Sequence, residues 1–71
     1  MPKLPSISGK KVIKGLSKLG FVIVRQRGSH VLLQRSTDMV TVPLHDPVKK
    51  STLKSILRKA DVTLEDFLEQ L

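Results

Sequence analysis

Three short β-rich runs, Phe21–Gln26, His30–Arg35 and Met39–Leu44, follow one another with three residues in each gap. Gaps that short admit only antiparallel neighbours, because a parallel crossover needs a dozen residues or more. Gly28-Ser29 lies in the first gap and Ser36-Thr37-Asp38 in the second, and both carry turn chemistry. The middle of this 71-residue chain is therefore expected to be a three-stranded meander.

Helical spacing flanks the meander. Before it, Val12, Ile13, Leu16 and Leu19 recur on one side of a helix, with Lys10, Lys11, Lys14 and Lys18 on the other. Ser8 is the candidate N-cap and Gly20 the candidate stop. Residues 1–7, with Pro2 and Pro5, read as an extended lead. After the meander, His45 to Lys50 reads as a loop containing Pro47. A second helix is expected from about Ser51, with Leu53, Ile56, Leu57 and Ala60 as its apolar face. Thr63-Leu64-Glu65-Asp66 has the form of a capping box and opens a short third helix bearing Leu64, Phe67, Leu68 and Leu71 on one side. The order α-β-β-β-α with a short extra helix implies a single α+β domain over residues 1–71, with helices on one sheet face and the other face open. Without cysteine, packing alone or a partner must hold so small a core.

Alternation assigns the faces. Val31 and Leu33 are expected against the helices, with Val40, Val42 and Leu44. His30, Leu32 and Gln34 then face outward. A hairpin centred between Thr37 and Asp38 pairs Leu33 with Val42 and Val31 with Leu44, and sets His30 opposite His45. A slip of two residues would keep the faces and separate the two histidines.

The net charge is +7, and it is uneven. All 13 Lys and Arg fall within residues 1–60, against only Asp38 and Asp46. Residues 61–71 carry Asp61, Glu65, Asp66 and Glu69 and no base. A basic body of this kind attracts phosphates. With no Trp, no Tyr and only Phe21 and Phe67, the chain lacks the aromatic platform on which single-strand binders stack bases. Contacts to phosphate, helix shape and 2′-hydroxyls are left to carry recognition. No apolar run reaches the length of a membrane span, and the N-terminus lacks the apolar core of a signal peptide, so a cytoplasmic protein is expected.

Two histidines on one open face, surrounded by bases, suit RNA cleavage by transesterification. That reaction needs a proton taken from a 2′-hydroxyl, a proton given to the leaving 5′-oxygen, and positive charge at the phosphate. His30 is the candidate acid or base, and His45 a candidate second proton carrier. Arg25, Arg27, Lys49, Lys50 and Lys54 are candidates to hold phosphate, the lysines because they cluster where the second helix begins. Gly28 and Ser29 would present turn amides to a phosphate. Ser29 does not suit a nucleophile activated by His30, since adjacent strand residues point to opposite faces. Two histidines and scattered aspartates lack metal-ligand spacing, so no metal or cofactor is expected.

Taken together, Gly20-Phe21, Arg25-Gln26-Arg27-Gly28-Ser29-His30-Val31, Thr41-Val42-Pro43, Lys50-Ser51-Thr52-Leu53-Lys54-Ser55-Ile56-Leu57-Arg58 and Leu64-Glu65-Asp66-Phe67-Leu68 resemble the HicA toxin family in order and spacing. The resemblance implies a fold similar to a double-stranded-RNA-binding domain. It also implies the toxin of a type II toxin–antitoxin pair, a metal-independent ribonuclease that cuts mRNA and blocks translation. The family's catalytic histidine falls on His30, and the implied partner is a HicB-type antitoxin. The toxin is expected to be a monomer alone and to join a hetero-oligomer with that antitoxin. The competing readings are a non-catalytic RNA-binding module of the same fold and an adaptor whose basic face meets an acidic protein.

Overall fold

The computed structural model describes residues 3–71, so the Pro2 end of the extended lead lies outside it. Its elements run α1 (Gly9–Lys18), β1 (Val22–Arg27), β2 (His30–Arg35), β3 (Asp38–Pro43), α2 (Lys50–Ala60) and α3 (Leu64–Leu68). The strands form one antiparallel sheet in the order β1-β2-β3. This is the expected α+β layout, with element ends moved by a residue or so.

Each helix starts and stops for a local reason. Ser8 Oγ accepts from the Lys11 amide and caps α1. At the other end Gly20 takes φ +100°. Its amide donates to the Ser17 carbonyl while that of Phe21 donates to Leu16, the paired bonds of a Schellman stop. α2 ends the same way around Asp61, a non-glycine at φ 56°, with the Val62 amide donating to Leu57 and the Asp61 amide to Arg58. Thr63 Oγ1 accepts from the Asp66 amide and caps α3.

Val12, Leu16, Phe21, Val31, Leu33, Val40, Val42, Leu53, Ile56, Leu57, Ala60 and Phe67 form the core, joined by Val48 from the loop before α2. Leu44, expected in the core, is only partly buried, and Leu71 is exposed. Gly15 has the Phe67 ring where a Cβ would point, which is how α3 comes to lie on α1. Arg35 ties the far end together. Its Nη1 donates to the Leu19 carbonyl at 2.9 Å and its Nη2 to the Ala60 carbonyl at 3.1 Å, with the guanidinium 4.7 Å from the Phe21 ring centre. One cation thus closes the carbonyl ends of both long helices, where the helix dipole favours positive charge.

The hairpin register differs from the expected one. His30 pairs with Pro43, Val31 with Val42 and Leu33 with Val40. The turn is the two-residue Ser36-Thr37, with Ser36 at φ 55°, and Asp38 has joined the strand opposite Arg35. A two-residue turn with positive φ at its first central position matches the twist of the strands, and a wider turn centred after Thr37 forgoes that match. The slip is by two residues, so the core faces survive. The pairing of His30 with His45 does not.

Candidate nucleic-acid interface

His30 opens β2 immediately after the Gly28-Ser29 turn, and Gly28 takes the φ of +59° that the turn requires. No atom of the described residues lies within 4 Å of where a Gly28 Cβ would stand, so backbone conformation, not crowding, calls for glycine there. Gln26 Nε2 donates to the Gly28 carbonyl at 3.3 Å, and the Leu44 amide donates to the Ser29 carbonyl at 2.7 Å. These bonds hold the backbone that leads into His30. The imidazole itself is exposed.

Val31 and Leu33 are buried under the helices, so His30, Leu32 and Gln34 face away from them. Residues directly opposite on neighbouring strands share a face. Arg27 pairs with His30, Arg25 with Leu32 and Val22 with Gln34. On the other side Pro43 pairs with His30, Thr41 with Leu32 and Met39 with Gln34. The open face therefore carries Arg27 beside His30, with the buried Pro43 on the other side of His30, and, in the next row, Arg25–Leu32–Thr41.

That arrangement depends on a β-bulge. Between Ile23, opposite Leu33, and Arg25, opposite Leu32, the strand carries Val24 as an extra residue. Strict alternation from the buried Phe21 would put Ile23, Arg25 and Arg27 all on the helix side. The bulge resets the phase and delivers both arginines to the face of His30. Bulges commonly re-aim side chains in this way. Both arginines stand out in the sequence as candidate phosphate contacts, and the bulge does not. Its only trace is the unalternating run Val22-Ile23-Val24.

The remaining expected residues gather at the same end of the sheet without joining that row. β2 starts there and β3 ends there. The Gly9 amide donates to the His45 carbonyl, and the Val48 amide to Ile7, so the starts of α1 and α2 are moored to this end. His45 lies two residues beyond the Pro43 that faces His30, outside the ladder and exposed. Lys49 occupies the N-cap position of α2 without a side-chain cap, and Lys50 and Lys54 follow. No acid lies in the first turn of either α1 or α2. Cations at the positive end of a helix, uncapped, are locally unfavourable, and a bound phosphate relieves that cost.

Both phenylalanines are in the core, so among the described residues no phenyl ring is left on the surface to stack bases. Among the described residues, no three His, Cys, Asp or Glu come together to hold a metal ion. No described helix is long and apolar enough to cross a membrane.

A family model described as the HicA toxin of bacterial toxin–antitoxin systems matches residues 9–62. The match runs from the first residue of α1 past the end of α2 and includes the bulge, the Gly-Ser-His turn and the lysines of α2. α3, with the Leu64–Leu68 ending, lies beyond it. No curated protein matches the chain. The family match covers well over half of the chain and makes it the toxin member of a toxin–antitoxin pair, with a cognate antitoxin as partner. The chain belongs to the HicA toxin family.

Proposed function

We propose that this toxin is a metal-independent endoribonuclease that cleaves mRNA and so halts translation, with His30 as the catalytic acid or base. The observation that carries the reading is the open-face row, in which an exposed histidine has an arginine directly across the strand pair and a second arginine one row away. Cleavage forms a bond from the 2′-oxygen to phosphorus and breaks the bond to the 5′-oxygen. His30 moves a proton at one of those oxygens, while Arg27 and Arg25 offset the charge that builds on the phosphate. Lys49, Lys50 and Lys54, with the Gly28 and Ser29 amides, hold the RNA on either side. The partner that silences the toxin is a HicB-type antitoxin, and the pair acts in the cytoplasm.

The test is cleavage of a labelled RNA by the purified chain, with and without a chelator, beside His30→Ala checked for folding by circular dichroism. The expected result is chelator-resistant cleavage that falls by about 10²–10⁴-fold in the folded variant. RNA bound but uncut by the wild type would instead support a non-catalytic binding module. Undiminished cleavage by His30→Ala would remove His30 from the chemistry.

A further inference from the structure

β1 is an edge strand that no helix covers. Among the described residues its only extensive contact is with β2, whereas α1 and α2 pack on β3. All six of its residues are exposed. Val22, Ile23 and Val24 are 60%, 57% and 48% exposed, a contiguous apolar run along the free edge. Natural edges are commonly blunted by charge or brevity. This one has charge only in its second half, at Arg25 and Arg27.

We propose that β1 is the antitoxin's docking strand. In this arrangement an acidic strand of the antitoxin pairs with the free edge, its apolar residues cover Val22–Val24, and its carboxylates meet Arg25 and Arg27. The proposal rests on the family assignment, which supplies an antitoxin. Charge complementarity selects that occupant. A second copy of this chain would bring two +7 molecules together and set four arginines along one seam. RNA has neither a strand to pair with the edge nor an aliphatic surface for the valines and isoleucine. Strand addition draws affinity from main-chain hydrogen bonds and specificity from alternate side chains, and β1 offers both. Inhibition follows by competition, because the carboxylates occupy the arginines that the proposed RNA site needs, Arg27 directly opposite His30 among them.

The experiment measures binding of the purified cognate antitoxin to the wild-type toxin, to the double variant Ile23→Thr/Val24→Thr, and to Met39→Thr. Met39 is a comparably exposed apolar residue (49%) on the opposite edge strand. Threonine keeps strand propensity, so the fold should hold, and circular dichroism checks it. The expected loss is about 30-fold or more for the double variant and under about 3-fold for Met39→Thr. Hydrogen exchange of the wild-type complex should show new protection at backbone amides of β1. Unchanged antitoxin affinity in the folded double variant, or no new protection in β1, would overturn the proposal. So would a wild-type toxin that is itself a dimer through this edge. Failure of the family-derived partnership is distinct, since the antitoxin would then not bind the wild type at all.

Discussion

Replacing Arg35 with alanine removes three interactions at once, and their size follows from the geometry. Each guanidinium hydrogen bond, at 2.9 Å to Leu19 and 3.1 Å to Ala60, involves a charged donor at a helix C-terminus. Such bonds contribute about 1.5–3 kcal/mol when well buried. Arg35 is only partly buried, so about 1 kcal/mol apiece is a fair discount. The contact with Phe21 adds roughly 0.5–1 kcal/mol. The three share one side chain and do not simply add, which leaves about 2–3 kcal/mol. A domain of this size holds only some 4–10 kcal/mol in total, and each kcal/mol shifts Tm by about 4–8 °C. Arg35→Ala should therefore lower Tm by about 10–20 °C in thermal unfolding followed by circular dichroism. Arg35→Lys is the sharper test. A single ammonium reaches one carbonyl but cannot bridge two with a planar fork, so it should recover about half of the loss. Full recovery by lysine would mean that charge alone matters and the bridge does not. A fall of less than about 3 °C in Arg35→Ala would refute the clamp itself.

Three further perturbations probe other parts of the structure. Gly9→Ala drives a Cβ into the Pro43 carbonyl oxygen, which is backbone and cannot yield, and should cost about 2 kcal/mol in denaturant unfolding despite the better helix former. Asp61→Gly relieves a left-handed non-glycine and removes an anion from the carbonyl end of α2, and should stabilise by roughly 0.5–1 kcal/mol in the same assay. Replacing Arg25 and Arg27 together with glutamine should weaken RNA binding and lower the slope of log K against log salt by about 1.5, whereas an unchanged slope would place the phosphates elsewhere.

The fold was largely legible because its signals are local. Ser8, Gly20 and Thr63 act where capping chemistry puts them, and the apolar faces of α1 and α2 follow from period alone. What escaped is long-range or conformational. The choice between Ser36-Thr37 and a wider turn leaves the core pattern unchanged, so alternation could not detect the slip that separates His30 from His45. The Gly15 contact with Phe67 joins residues far apart in the chain, and nothing local announces it. Arg35 reads as one more base in a basic chain until the two helix ends converge on it. The candidate site was found by residue type, with Arg25, Arg27 and His30 all named. Their shared face depends on the extra residue at Val24, which no periodicity encodes.

The most direct measurement compares single-turnover cleavage of one labelled RNA by the wild type, His30→Ala and His45→Ala, each shown to be folded. With His30 in the arginine row and His45 outside the strand ladder, His30→Ala should lose about 10²–10⁴-fold in rate and His45→Ala less than about 10-fold. A rate that collapses with His45→Ala and survives in His30→Ala would contradict the assignment of the chemistry to the open sheet face.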